Sequence, residues 1–294
     1  EFVSRDWSSD VCSSDLDSAS QIESGRIVDL VAGIVGEVMG DTAAVEGHLG
    51  DGAVEFGAGN SILVGASSGW LVPASDANKL TVSLWQKLNS RVSSSTFWFG
   101  ASSANNGERN FQAHIPWGGG DIFFDTAGCC GGGDTRINKA SDIDYLEWHH
   151  FVFIKDGDNK SIWIDGELHH EGVNTGALFD DWTTLGIGSN SAGGSNVDGI
   201  VDDFGVWVRA LTEVEIKHLA EGNAIGSPGF GPKIVGKFEA NWDDEEEPAG
   251  TYMAGVAAIA SDEDGENPSM HITDAVNGAN GAFTIEDFSN GAVF

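Results

Sequence analysis

A group of side chains in the middle of the chain has the types and spacing of a ligand face. Trp85 lies in LTVSLWQKL (80–88), Trp98 in STFWFGAS (95–102), Gln112 and His114 in NFQAHIPW (110–117), and Asp125 in DIFFDT (121–126). Residues i and i+2 of a strand share a face. Trp85 therefore stands with Ser83 and Lys87 opposite Val82 and Leu84, and Gln112 stands with His114 opposite Phe111, Ala113 and Ile115. Aromatic rings beside amide, imidazole and carboxylate groups suit sugar recognition: rings stack on apolar C–H faces and polar groups read hydroxyls. The alternative is that these rings pack between sheets or under a loop and that Gln112 and His114 are a satisfied surface pair. The GCCGGG stretch after Asp125 would form the rim, with Cys129 and Cys130 adjacent in it. Adjacent Cα atoms are about 3.8 Å apart, whereas disulfides ordinarily want about 4.4–6.8 Å. The pair is either two thiols in a turn or a vicinal disulfide in a loop that glycines make permissive.

Asp202 is a second candidate. In GIVDDFGVWVRAL (199–211) it alternates with Phe204 and Val206, which points it to the apolar side of its strand. A carboxylate there needs hydrogen-bond donors or an ion. Backbone amides would serve, as would calcium, which takes oxygen ligands. DEDGEN (262–267) is also oxygen-rich, but it lacks the D-x-D-x-D-G spacing and distal Glu of an EF-hand. No Cys/His cluster has zinc spacing. His149 and His150 open one strand and His169 and His170 close its partner, so alternation forbids all of them one face.

The elements that must position these residues read as strands. The segments already quoted are followed by HHFVFIKDGDNKSIWIDGEL (149–168), a hairpin turning at DGDN, then by DWTTLGIGSN (181–190) and the Asp202 strand. One short helix is expected after Thr212, an N-cap residue with Glu213 and Glu215 in the first turn, Ile216 and Leu219 facing inward, and Gly222 as a stop. Short strands, many turns and almost no helix give an all-β fold of two antiparallel sheets packed as a sandwich.

The 294 residues suit about two domains. Residues 1–16 show no strand or helix period and no apolar signal-peptide core. They resemble translated sequencing-adapter sequence and are expected to be disordered and outside the fold. Residues 17–222 form the sandwich, and 223–236, with Pro228 and Pro232 among glycines, form a linker. Residues 237–294 are expected to be the start of a second β domain cut off by the end of the chain, with an acidic loop at Asp243–Glu247 and strand-like runs at MHIT and AFTIEDF. The 14 Lys and Arg stand against 46 Asp and Glu, a formal charge of −32. That surface repels phosphate and anionic lipid, which excludes nucleic acid and membrane surfaces as partners. No apolar run reaches the roughly 18 residues of a membrane span, so no membrane insertion is expected. The 3 Cys make no disulfide framework.

Taken in order, GHLGDGAVEFGAGNSILV (47–64), LTVSLWQKL, LEWHHFVFIKDGDNKSIWIDGEL (146–168) and GIVDDFGVWVRALTEVEI (199–216) resemble a laminin-G-like module of the concanavalin A-like jelly-roll superfamily. The combination carries the resemblance: a WHH strand start, a hairpin ending in W-x-D-G, and G-[IL]-[IV]-D-[DE] running into a short helix, over roughly residues 27–222. The FQAHIPW…FFDTAGCCGGG stretch is similar to a bacterial subgroup found in large secreted or surface proteins, and DAVNGANGAFTIEDF resembles the start of another lectin-like domain. The resemblance implies an extracellular or cell-surface location and a glycan or cell-surface ligand, with calcium as a structural or bridging ion. It places that calcium on Asp202 and the backbone oxygens of the Gly57–Asn60 turn. The turn reads GAGN here where relatives often carry D-G, which removes one candidate carboxylate. The superfamily also contains glycoside hydrolases, which need paired carboxylates. Their E-[IL]-D-x-x-E strand motif is absent, and the acids of SDIDYLEW (141–148) have the wrong spacing. No G-x-S-x-G occurs, and the histidines have no evident nucleophile partner. The expected function is a non-catalytic binding or adhesion module. The alternatives are an architectural spacer of a surface protein and an accessory domain of a secreted glycoside hydrolase.

Overall fold

The period-2 segments become two antiparallel sheets in a computed structural model. It describes residues 10–14, 19–28, 34–50, 52–65, 69–104, 108–130, 135–223, 257–261 and 268–272. Sheet A runs in the order β14 (Glu167–Val173), β13 (Asn159–Ile164), β12 (His149–Asp156), β7 (Lys79–Leu88), β16 (Gly199–Trp207), β5 (Ala53–Phe56) and β4 (Ala43–Val45). Sheet B runs β11 (Arg136–Ala140), β10 (Asp121–Thr126), β9 (Arg109–Trp117), β8 (Phe97–Ala101), β15 (Trp182–Ile187), β6 (Ser61–Val64), β3 (Val35–Met39) and β2 (Arg26–Val28). From β2 onward the chain crosses between the sheets after β3, β5, β6, β7, β11, β14 and β15, which is the jelly-roll path expected for this fold.

Alternation decides what enters the space between the sheets. Leu80, Val82 and Leu84 of β7, Phe111, Ala113 and Ile115 of β9, Phe151 and Phe153 of β12, and Val201, Phe204 and Val206 of β16 all join one buried cluster. Phe97 sits among rings from both sheets, with centroids 5.4 Å from Phe153, 6.0 Å from Phe111 and Phe204, and 6.1 Å from Phe99. Lys160 also points inward. Its ammonium reaches across to the other sheet, donating to the Phe124 carbonyl at 2.7 Å and the Thr135 carbonyl at 3.1 Å, and burial pulls its pKa well below the usual lysine range.

Local signals fix the connections. At the β13–β14 turn, Asp165 (φ 50°) and Gly166 (φ 81°) both hold positive φ, the requirement of a type I′ hairpin. Helix α1 covers Ala19–Glu23 and α2 covers Val72–Ala77. Helix α3 (Glu213–Ala220) starts where the sequence places it: Thr212 accepts from the Glu215 amide, and the Glu215 carboxylate accepts from the Thr212 amide, closing a capping box.

Part of the leader departs from expectation. Asp10–Ser14 forms β1 and pairs antiparallel with β16. The reason lies in β16: β5 covers it only at Gly199–Val201, which leaves an open edge from Phe204 to Trp207 for another strand. The rest of residues 1–16 lie outside the described residues. The chain divides at Gly222 into two compact units. In the second, β17 (Ala257–Ser261) pairs antiparallel with β18 (Pro268–Ile272), which takes in most of the MHIT run. Residues 224–236, the acidic run, DEDGEN and AFTIEDF lie outside the described residues.

Candidate functional site

The outer face of sheet B is built from residues that alternation turns away from the core. Trp98 pairs with Gln112, Gln112 with Asp125, and Asp125 with Arg136, giving one row across β8, β9, β10 and β11. The next row is His114, Phe123 and Asn138. Trp98, Gln112, His114 and Asp125 thus share a face: in-strand spacing pairs Gln112 with His114, and the ladders bring in Trp98 and Asp125. Cys129 and Cys130 join them as a disulfide, with Cα atoms 3.8 Å apart. Ala127 (φ 53°), Gly128 (φ 112°) and Cys130 (φ 64°) supply the left-handed backbone of that loop.

This face is not the solvated surface the sequence suggests. Trp98 is 6% exposed, His114 3%, and Gln112, Asp125 and Cys129 are fully buried. Two arginines lie over them. Arg109 sets its guanidinium 4.5 Å from the Trp98 ring, and its Nη1 donates to both disulfide sulfurs, reaching Cys130 Sγ at 3.0 Å. Arg136 donates from Nε and Nη2 to the two oxygens of Asp125, each at 2.6 Å, and its guanidinium lies 4.7 Å from the Phe123 ring. Nη2 of Arg136 also reaches Cys129 Sγ at 3.1 Å. These side chains keep 18% and 27% of their surface in solvent, and Trp117, at the border of the face, keeps 39%.

Electrostatics follow from the burial. Burial pushes the His114 imidazole down to about 4, with Arg109 and Arg136 pushing the same way and the Ser94 carbonyl and Asp125 opposing. His114 is therefore neutral at pH 7, and its Nδ1 is the donor to the Ser94 carbonyl at 2.7 Å. The ring meets Trp117 at a tilt of 48°, with centroids 4.4 Å apart. Gln112 differs: among the described residues neither atom of its amide has a hydrogen-bond partner, and the same holds for Trp98 Nε1 and Arg109 Nε. A buried polar group left unpaired costs about 1–3 kcal/mol. The two are therefore not a satisfied surface pair: both are buried, and only His114 has a hydrogen-bond partner among the described residues.

Sequence reasoning missed Arg109, Arg136, Phe123 and Trp117. The available signal was parity: Phe123 alternates with Asp125, just as Gln112 alternates with His114. Arg136 is reached only through the ladder that sets it opposite Asp125.

A family model, Laminin_G_3, described as the concanavalin A-like lectin/glucanases superfamily, matches residues 56–217, more than half of the chain. This chain belongs to the concanavalin A-like superfamily. Solved structures share the fold. Domain 4 of AbnA, a GH43 extracellular arabinanase from Geobacillus stearothermophilus, solved with arabinotriose, is 19% identical with a TM-score of 0.54, covering 72% of this chain and 98% of that one. The binding domain of botulinum neurotoxin DC with rat synaptotagmin II is 16% identical with a TM-score of 0.53, covering 75% and 53%. The botulinum neurotoxin serotype D binding domain is 14% identical with a TM-score of 0.51, covering 74% and 53%. The chain thus spans about half the length of the neurotoxin binding domains. No curated protein is significantly similar to it in sequence.

In this concanavalin A-like domain Trp85 lies apart from the other candidates. It is on the outer face of sheet A, opposite His150 and Asp202 in the ladders. The His48 ring meets it tilted by 38°, with centroids 4.0 Å apart, and lies 5.4 Å from Trp148. β7 and β8 are consecutive in sequence but belong to opposite sheets, so the core separates Trp85 from Trp98.

Asp202 is also turned from its expected side. Asp203 takes φ 46° and the β16–β7 register shifts between Asp202 and Gly205. This bulge breaks the alternation, so Asp202 joins Trp85 on the outer face while Phe204 enters the core. Its Oδ2 accepts from the amides of His48 at 2.7 Å and Leu49 at 3.0 Å, and Oδ1 from the Asp203 amide at 2.8 Å. Val201 pairs with Val54 and Gly199 with Phe56, so Asp202 is level with Ala53. At about 3.3 Å per residue, Gly57 is about 13 Å away along the strand. Two ligands of one calcium ion lie within about 5 Å of each other. The Gly57 carbonyl accepts from the Asn60 amide at 3.0 Å, and Asn60 Oδ1 accepts from the Asp41 amide at 3.0 Å. Asp202, Gly57 and Asn60 therefore do not fit a single calcium site, and the amides facing Asp202 are oriented for an anion. Asp202→Ala is expected to lower the unfolding free energy by about 2–3 kcal/mol, since it strands those amides. Calcium is expected to leave the Tm of the wild-type domain unchanged in thermal melts; a calcium-dependent rise absent from Asp202→Ala would overturn this account.

The ladder also supplies a partner that the sequence reading denied the histidines. His150 Nε2 lies 2.7 Å from Ser83 Oγ across β12 and β7. Asp165 does not complete a triad: its carboxylate binds His149 Nδ1 at 2.7 Å and the His150 backbone amide at 2.9 Å. Burial, reinforced by His48 and opposed by Asp165, drives the His150 imidazole down to about 3. An imidazole of that basicity is a poor acceptor for a serine proton at pH 7.

Proposed function

We propose that this domain is a non-catalytic extracellular binding module for carbohydrate or cell-surface ligands, and that the ligand meets it on the outer face of sheet B. The observation that carries the reading is Gln112, a fully buried amide with no partner among the described residues for either polar atom, beside Trp98 whose indole N–H is likewise unbonded among them. Above them lie guanidinium and aromatic side chains that remain partly in solvent: Arg109, Arg136, Phe123 and Trp117. A sugar ring stacks on the aromatic border, and rotation of Arg109 off the Trp98 ring lets a ligand hydroxyl complete the Gln112 amide. The solved structures are consistent with this use of the fold. The AbnA domain was solved with arabinotriose, and binding domains of botulinum neurotoxin DC with SialylT and with synaptotagmin II.

Gln112→Leu separates the functional reading from a packing role. It keeps the approximate volume and removes the unmet polar atoms, so the variant is expected to be about 1–2 kcal/mol more stable than wild type. On a broad glycan array it is expected to lose at least about tenfold in affinity, the loss of one well-placed hydrogen bond. Unchanged binding by Gln112→Leu would remove this face from the function. A wild-type domain that binds nothing on the array favours the architectural spacer.

A further inference from the structure

We infer that the ligand of this face is an acidic glycan whose ring carboxylate is taken by Arg109; the inference rests on the site proposed above. The chain carries 14 basic residues against 46 acidic ones, yet two of the basic residues lie over this single patch. Among the described residues they share one carboxylate. Asp125 gives both oxygens to Arg136 at 2.6 Å and comes no nearer than 3.9 Å to Arg109. Counted over the described residues, the patch therefore holds a surplus positive charge centred on Arg109.

The donors of Arg109 point to what would balance that charge. Its hydrogen bonds run from Nη1 to the disulfide sulfurs, which are weak, uncharged acceptors. Nε has no partner. The Nε edge of a guanidinium, with the adjacent Nη2, is a fork that matches the two oxygens of a carboxylate. Burial lowers the pKa of Arg109, Arg136 adds to that effect and Asp125 only partly offsets it, so the cation is short of both water and counter-charge. Stacking on Trp98 and contact with the disulfide hold the group in place without neutralising it. An arriving carboxylate would draw Arg109 from the Trp98 ring and expose Gln112 and the indole N–H to the hydroxyls of the same sugar. At 0.15 M salt the net charge of the rest of the chain is screened beyond about 8 Å, so it does not prevent this local contact.

The test compares ligands that differ only in the acid. The probes are a tetragalacturonide against its methyl ester, and sialyllactose against lactose, titrated calorimetrically at 0.15 M salt into wild type, Arg109→Gln, Arg109→Lys and Gln112→Leu, each checked for folding by thermal melt. In at least one pair the acid is expected to bind about tenfold or more tightly than its neutral partner, the preference of a charge-assisted fork. Whichever pair shows it identifies the uronic or the sialic source. The preference is expected to vanish in Arg109→Gln and to shrink in Arg109→Lys, which keeps the charge and loses the fork. Equal binding of acid and neutral partner, lost in Gln112→Leu, overturns the acidic ligand and leaves the glycan face standing. An acid preference that survives in Arg109→Gln also overturns it. If neither probe pair binds while neutral glycans bind on the array, the acidic inference alone falls. If no glycan binds at all, both it and the carbohydrate-binding reading of the proposed function fall.

Discussion

Asp125→Asn is expected to lower the unfolding free energy of the domain by about 3 kcal/mol, the low end of what breaking a buried ion pair from one side costs. Asp125 is fully buried, with both oxygens bonded to Arg136 at 2.6 Å. Asn keeps the volume, so no cavity enters the comparison. What changes is charge: two partly buried guanidiniums lose their shared counter-ion, and one oxygen acceptor becomes a donor aimed at a donor. The value falls at the low end because Arg109 and Arg136 retain 18% and 27% of their side-chain surface and recover some hydration. For a domain of this size, about 2–4 °C of Tm per kcal/mol translates this into a fall of about 6–12 °C. A double-mutant cycle with Arg136→Gln is expected to return a coupling of at least about 2 kcal/mol. A single-variant loss below about 1 kcal/mol, or a cycle that adds, would show that Asp125 is not held as described.

Acidification produces the other large effect. His114 and His150 are held at about 4 and about 3, against 6.5 for the free imidazole. Both folded-state values are depressed, so the unfolded chain takes up protons first as pH falls. The stability these neutral imidazoles allow is fully present above about pH 6.5. It is lost as pH drops from there toward the folded-state values, and the loss levels off below them. At about 1.4 kcal/mol per pH unit, each group removes about 3 kcal/mol between pH 6.5 and 4, about 6 kcal/mol together. That is comparable to the whole stability of an ordinary domain. Neutralising carboxylates in a chain of formal charge −32 relieves self-repulsion over the same range, so the clean readout is a difference. His150→Gln keeps a partner for Ser83 and cannot titrate, and its stability-versus-pH curve is expected to be shallower than wild type by about half of that 6 kcal/mol. In the wild-type protein the Cε1–H resonances of both rings are expected to stay at their neutral positions down to about pH 5. Titration of either ring near pH 6.5 would contradict the burial that sets these shifts.

How much of the site was legible in the sequence depends on the range of the signal. Gln112 and His114 are legible as one face because parity along a strand is a local property: Cβ atoms alternate whatever the chain does elsewhere. The 149–168 hairpin and the capping box at Thr212 and Glu215 were readable for the same reason, since each is closed by residues near in sequence. Asp202 was misplaced although its strand was found. One extra residue at Asp203 reverses parity, and nothing in the string GIVDDFG marks a bulge. Trp85 had the right parity and the wrong sheet, because parity names a side of a strand and not the layer to which the strand belongs.

By itself, then, the sequence determined the strands, which of their side chains leave the core, and the all-β class, because these follow from a two-residue period and from turn chemistry. The tertiary structure alone decided that Trp98, Gln112 and Asp125 are covered by Arg109 and Arg136, that Ser83 meets His150, and that Trp85 and Asp202 lie on the opposite layer. Each of those facts depends on which strand lies beside which. Strand order is set by burying the greasy faces of both sheets at once, a condition on the whole chain that no short segment records.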